Sequence, residues 1–493
     1  MTAGVVETSG GGLADQLAQL AARAAAGQDV AGELAAAAAE LAARHRLAGD
    51  ANGGLVGRRP GAGPLLLPGQ YATAGPGRVR TPGGFTVDEA TARRAALAEP
   101  ANTRRGRASR AALFVAWCTE HGRVPTDPGT LADWANYLAD GQHPTDTITS
   151  YVTTVASVLD LNGHPVRGDE RDLIARVLNS RSAEEAADTT GAGDVLQATE
   201  CTRADLARMV ATCDRSTARG LRDACALLLH WYMAGRASEP VALGVLDVTE
   251  VSADILDLAT GEVVSRPALE LVFRRSKTDP YGRRRDVVRL VAQDDPELCP
   301  VVAVRAWRAL LAEHGAHQSG PLLRRIDRWD NIGGTAACAG RRPVDERRAG
   351  GLTDRSLRNI IATRARAADL VRELLPEERE VLSTCAEAAA LAAADSDSER
   401  EAIRTDRRIR RRALRRQLKR YTGHSMRRGC VRHMERSGVA RHLIELHARF
   451  SPGSKALARY RVGEIAWEDN PTLGMGDPHA ARRRLAQLAV RRA

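Results

Sequence analysis

The chain has 493 residues, with 72 Lys or Arg against 61 Asp or Glu and a formal charge of +11, a balance that favours polyanionic partners. That length allows two or three domains, each with its own core. Its eight cysteines, Cys118, Cys201, Cys213, Cys225, Cys299, Cys338, Cys385 and Cys430, form no CxxC pair, which argues against a zinc site and a disulfide scaffold.

The start, MTAGVVETSGGG, has no basic stretch leading into an apolar one, and no run of eighteen apolar residues occurs anywhere. Neither a signal peptide nor a membrane span is expected, and the expected location is cytoplasmic. Residues 1–48 are alanine-rich, with Leu13, Leu17 and Leu20 at helical spacing, and read as an exposed helix pair or a short coiled coil. Residues 49–101, with stretches such as RRPGAGPLLLPGQYATAGPG, read as a Gly/Pro-rich linker. Residues 102–183 become helical, in ASRAALFVAWCTEHG, DPGTLADWANYLADG and TDTITSYVTTVASVLDLNG. Each segment is closed by Gly or opened by Thr or Asp, as expected of a small all-helical domain. Small and acidic residues within 184–201 then read as a second linker.

A second main domain spans residues 202–467, followed by a tail over 468–493. In GLRDACALLLHWYMAGRASEPVALGVLDV, Leu221, Cys225, Leu228 and Tyr232 share one helical face, which stops at Gly235. Ser238 suits the cap of the next helix and Pro240 its first turn. Arg236 and Glu239 therefore stand at a junction, which serves either as a buried ion pair or as a guanidinium fixed to bind a phosphate in two parallel hydrogen bonds. In ALELVFRRSKTDPYGRRRDVVRLV, Leu269, Leu271 and Phe273 alternate with Glu270, Val272 and Arg274 before a DPYG turn, predicting a β-hairpin with Lys277 just before its tip. Segments within 325–400 read as insertions.

From Glu401 to Arg436 there are fourteen Lys or Arg against three Asp or Glu, an excess of eleven that leaves the rest of the chain near neutral. Concentrated charge of this kind suggests one phosphate-binding face; the alternative for Arg404 to Lys419 alone is a solvated basic helix. Within it, TGHSMRRGC sets His424 and Arg427 three residues apart on one helical face, and SGV at Ser437 to Val439 turns the chain into ARHLIELHARF. A lone His–x–x–Arg is a weak signal. The order of the elements strengthens it.

AGRASEPVAL, RRSKTD, GHSMRRG and the ARY that ends in Tyr460 occur in that order, and together they resemble the motifs of the tyrosine site-specific recombinases, the phage integrase family, over about residues 102–467. The resemblance implies a mainly α fold with a small β-sheet. It implies a helical core-binding domain and a mixed α/β catalytic domain closing on DNA as a C-shaped clamp. It implies double-stranded DNA as partner, a homotetramer on two sites, a nucleoid-associated protein, no membrane, and no metal ion or other cofactor. The catalytic set it implies is Arg236, Lys277, His424, Arg427, Phe450 and the nucleophile Tyr460, with Glu239 and His447 in support. Arg104, Arg105, Arg107, Arg110, Arg274, Arg275, Arg415, Arg416, Lys419, Arg420 and Arg428 are expected to meet the DNA backbone. Where the family usually has His or Trp about nine residues before the tyrosine, Phe450 stands ten before Tyr460; it can pack but cannot donate a hydrogen bond, which makes His447 the alternative donor. A topoisomerase-like or telomere-resolving enzyme would use the same residues. A DNA-binding protein without catalysis would keep only the basic face.

Overall fold

The computed structural model describes residues 65–67, 70–99, 101–188, 196–256, 260–274, 282, 285–335, 350–454 and 457. The chain divides into two units, Met1–Val195 with Val381–Arg412, and Leu196–Glu380 with Ala413–Ala493. The described residues are mainly helical, with two small antiparallel sheets.

In the first unit, part of the expected linker is ordered. Strands β1 (Ala72–Gly75), β2 (Arg78–Arg80) and β3 (Thr86–Asp88) form a sheet in that order, and helix α1 (Glu89–Ala98) follows. Pro76 and Gly77 make the first turn. Pro presets its own φ and Gly77, at φ +65°, takes the left-handed position, a pairing that suits a tight reversal. Short strands need only such turns and a few paired residues, which an apolar-periodicity reading does not register.

Helices α2 (Ala101–Glu120), α3 (Thr130–Asp140), α4 (Thr145–Leu161) and α5 (Gly168–Ala187) then build a bundle. Its core holds Phe114, Trp117, Leu131, Trp134, Ile148, Val152, Val155 and Ile174. Phe114 and Trp134 meet with ring centroids 5.2 Å apart. Each such side chain contributes roughly 1.5–3 kcal/mol by leaving water. The expected boundary at residue 183 falls inside α5, which continues to Ala187. Residues 196–201 are not linker either. Thr199 and Cys201 donate backbone N–H bonds to the carbonyls of Arg420 and Ser425, at 3.1 Å each, so they belong to the second unit.

The second unit is organised around one enclosed helix. Helix α6 (Arg203–Ala211) opens with a reciprocal Thr202–Asp205 capping box. Helix α7 (Ala218–Tyr232) is then buried on all sides from Arg222 to Trp231, the expected position for a helix apolar all round. Its two buried charges, Arg222 and Asp223, bond at 2.7 Å, and Arg364 completes the Asp223 carboxylate at 2.7 Å. Strands β4 (Val248–Leu256), β5 (Val263–Phe273) and β6 (Asp286–Val291) form an antiparallel meander. Leu269, Leu271 and Phe273 point into the core as their alternation predicts. The β5–β6 pairing is the expected hairpin; β4 is an additional strand.

Helix α8 (Pro300–Glu313) lies against α7, and helix α9 (Asp354–Ala367) places Leu357, Ile361 and Ala365 in the same core. Residues 350 to about 370, inside the span 325–400 where segments read as insertions, are thus core structure. Helices α10 (Pro376–Leu382), α11 (Thr384–Ala393) and α12 (Asp397–Gln417) make an excursion that joins the first unit over Val381–Arg412. There Tyr137 donates its hydroxyl to Glu401 at 3.3 Å. Helices α13 (Gly423–Arg436) and α14 (Arg441–His447) close the second unit. Residues 1–48, Lys277, Arg275, Tyr460 and the tail 468–493 lie outside the described residues. Among the described residues no helix is long and apolar enough to cross a membrane.

Candidate functional site

The C-terminus of α7 assembles the site. A helix end leaves carbonyls without intrahelical partners and carries partial negative charge, so it attracts cationic donors. Here four consecutive carbonyls meet side chains, three from elements later in the chain and one, His230, from α7 itself. His447 Nε2 donates to Tyr232 at 2.7 Å, Arg449 Nη1 stands 3.5 Å from Met233, Arg427 Nη1 donates to Ala234 at 2.6 Å, and His230 Nε2 donates to Gly235 at 3.0 Å. A carbonyl only accepts, so Nε2 carries the proton in both histidines. Ala234 turns the chain at φ +46°, an uncommon conformation for a residue with a Cβ.

Arg236 follows this turn. Its backbone N–H donates to Glu239 Oε2 at 2.9 Å and its Nη1 to Oε1 at 3.0 Å. The expected cap is displaced by one residue. Glu239, not Ser238, precedes the short 3-10 turn Pro240–Ala242, and its carboxylate bends back to Arg236 and to Arg449 Nη2. Glu239 is 4 % exposed. Burial alone pushes its carboxyl upward, but the Arg449 charge, the Arg236 N–H and the Arg236 charge together hold it below the ordinary value.

The helix that carries His424 and Arg427 is placed by two glycines and a cap. Thr422 caps α13 in a reciprocal arrangement with Ser425. Gly423 is the first residue of the helix; a Cβ there would stand 2.7 Å from that of Ala237, so its absence lets α13 approach the Arg236 turn. A Cβ on Gly429 would come within 1.7 Å of the Cys201 carbonyl oxygen, which excludes any larger residue without backbone movement. On this helix His424 is exposed and Arg427 is 1 % exposed. The Arg427 guanidinium lies 4.2 Å over the Phe450 ring, within the range of a cation–π contact.

His230 is fully enclosed. Burial leads the causes that lower its pKa to about 4, and the charges of Arg427 and His424 add to it. Burial also lowers His447, with Arg449 and Arg427 acting in the same direction. The structure thus brings together Arg236, Glu239, His424, Arg427, His447 and Phe450. It adds Arg449 and His230, which the sequence reading passed over. His230 interrupts an apolar run, LLLHWY, a usable signal. Arg449 sits at φ +55° with no sequence signature for that conformation.

The proposed DNA-contacting residues fare differently. Arg104 donates to the Ala96 carbonyl, Arg107 pairs with Glu99 at 3.1 Å, and Arg110 bonds Thr154 at 3.0 Å. The first two tie α2 to the end of α1 and the third ties α2 to α4, while Arg105 is exposed. Arg274 pairs with Asp247 at 2.8 Å, and Arg428 bonds Gln197. Arg415 is exposed and Arg416 half-buried. Lys419 and Arg420 line a cleft of about 280 Å³ with Arg358, Arg366 and Tyr421, a cationic hollow beside the α13 cap. No protein-family model matches the chain, and no curated protein is similar to it.

Proposed function

We propose that the chain is a site-specific DNA recombinase that cleaves and rejoins strands through a 3′-phosphotyrosine intermediate. The observation that carries this reading is the convergence of Arg236 and Arg427 on the turn after α7, with His424 exposed beside them. Two guanidiniums fixed by a scaffold suit a phosphodiester whose non-bridging oxygens gain charge as phosphorus becomes pentacoordinate. Arg427 is enclosed, and a charge in a low-dielectric setting acts strongly over short range. In the reaction the Tyr460 oxygen forms a bond to phosphorus while the bond to the 5′-oxygen breaks. The phenol proton leaves toward His424 or solvent, and Lys277 protonates the departing 5′-oxygen. A 5′-hydroxyl from a second strand then reverses the step, releasing Tyr460 with no external energy source. Lys419, Arg420 and Arg358 in the cleft, with Arg105 and Arg415, supply candidate backbone contacts. By the resemblance, the two units would take opposite faces of a duplex as a C-shaped clamp, and four copies would pair two sites in the nucleoid.

The test uses nicked duplexes carrying randomised sites, on which the cleaved end diffuses away. The parent protein is expected to accumulate an SDS-resistant DNA adduct whose sequence reveals the site, and Tyr460→Phe to form none while keeping its affinity for that site. An adduct with Tyr460→Phe assigns the nucleophile elsewhere. No adduct from the parent leaves a DNA-binding protein without catalysis, and plasmid relaxation without joining of two sites leaves a topoisomerase-like enzyme.

A further inference from the structure

Arg449 holds an unusual position for an arginine. It is 7 % exposed and adopts φ +55°, which costs an L-residue about 1 kcal/mol or more. Its guanidinium lies 4.5 Å over the Phe273 ring, donates to the His447 carbonyl at 3.3 Å, and meets Glu239 Oε2 through Nη2. The same Glu239 carboxylate holds both the backbone and the side chain of Arg236. The next residue, Phe450, lies under Arg427. One turn after α14 therefore touches the support of both arginines.

We propose that Arg449 is a positioning residue: it pins the Glu239 carboxylate, which in turn fixes the Arg236 guanidinium toward the scissile phosphate, while Phe450 registers Arg427 from the same turn. The proposal rests on the recombinase reading for what Arg236 contacts, but not for the Arg449–Glu239–Arg236 linkage itself. An alanine or glycine at 449 would leave Glu239 buried beside Arg236 alone. The backbone strain at 449 is compensated by the charge it delivers.

Arg449 and, on its own turn, Arg236 act on the Glu239 carboxyl; His230 on α7 stands next, itself facing Glu239 and, on α13, Arg427 and His424, and His447 on α14 bonds the same helix end. Without Arg449 the largest influence left on the Glu239 carboxyl is burial, which raises it. The acid form then persists to higher pH. A neutral Glu239 no longer holds Arg236 as an ion pair.

Arg449→Met and Arg449→Lys separate positioning from bulk packing, with Arg449→Gln replacing the methionine variant should it not fold. On the nicked duplex, the acid limb of the adduct-formation rate is expected to move upward by at least one pH unit in Arg449→Met and to stay near the parent's in Arg449→Lys. A loss of rate equal at every pH, with the limb unmoved, would refute the positioning role. Should the parent form no adduct, the recombinase reading fails and melting decides the linkage alone. The Arg449→Met deficit in Tm at pH 7.5 should shrink by at least half at pH 4.5, because a protonated Glu239 no longer needs its partner. A deficit independent of pH sinks the linkage.

Discussion

Arginines serve opposite ends at α12 and at the C-terminus of α7. On α12, Arg400 pairs with Asp397, Arg404 with Glu401 and Arg410 with Asp406, each within one helical turn and largely in solvent. Around α7, Arg427 and Arg449 are nearly enclosed, and their partners come from other elements. Helix α12 carries most of the charge excess between Glu401 and Arg436, whereas the second arrangement uses Arg427 from that span and Arg449 from beyond it. Charge density therefore marks where arginines are many. Burial and the distance in sequence to their partners mark where one arginine matters. Exposed pairs gain a few tenths of a kcal/mol, whereas removing one member of an enclosed pair strands the other.

That contrast is most directly broken at Glu239. Glu239→Gln leaves Arg449 buried without a carboxylate, and the expected loss of stability is about 3–5 kcal/mol, read from the shift of the urea midpoint. The parent should also lose stability in acid through this group. Its folded-state pKa lies below the ordinary 4.5, so its contribution is complete above that pH and disappears as pH falls below it. A Glu239→Gln midpoint within about 0.5 kcal/mol of the parent would mean that enclosure at α7 is no costlier than exposure on α12.

The two units invite a second comparison, since each holds a histidine away from water, His230 fully enclosed and His143 half-buried. His230 in the second unit and His143 in the first are both lowered to about 4, burial being the main cause in each. The unfolded chain binds a proton near pH 6.5 and the folded one does not. Each histidine thus contributes stability that is present above pH 6.5 and lost as pH falls toward 4, about 3 kcal/mol for the fully enclosed His230. His230→Gln keeps an N–H for the Gly235 carbonyl and removes the titration. It should flatten the loss of stability between pH 7 and pH 4.5 in the second unit's unfolding transition and leave that of the first unit unchanged. An identical acid loss in the variant would assign the pH response elsewhere.

Much of this was legible from local rules. The Ser437–Val439 turn, the β5–β6 hairpin and the three helical segments after residue 102 follow from turn residues, alternation and apolar spacing. Arg236, Glu239, His424 and Arg427 were legible only as separate motifs, and their meeting depends on Ala234 and on the approach permitted by Gly423. Three things had no local signature. Short strands at 72–88 lack an apolar period long enough to read. Core helix α9 sets Leu357, Ile361 and Ala365 among arginines, in a span where insertions were expected. Arg449 acquires its role from a backbone conformation and from a partner 210 positions earlier. Long-range partnership is what a one-dimensional reading loses first.

The smallest effect tests the comparison inside one helix. Arg410 and Arg411 are neighbours on α12, yet among the described residues Arg410 reaches only Asp406 at 2.9 Å, with 66 % of its side chain exposed. Arg411 is 19 % exposed and bonds the Val381 carbonyl at 2.8 Å, the Ser383 carbonyl at 2.9 Å and Glu387 at 2.6 Å, closing α10 and α11 onto α12. Hydrogen bonds involving a charged group contribute roughly 1.5–3 kcal/mol when their acceptors are otherwise shielded. Arg411→Ala should therefore cost the first unit about that much in a denaturant titration. Arg410→Ala should change it by less than about 0.5 kcal/mol, and raising the salt concentration should erase even that difference because the pair lies in solvent. Equal costs for the two would show that position along the basic helix, and not enclosure, sets what an arginine contributes here.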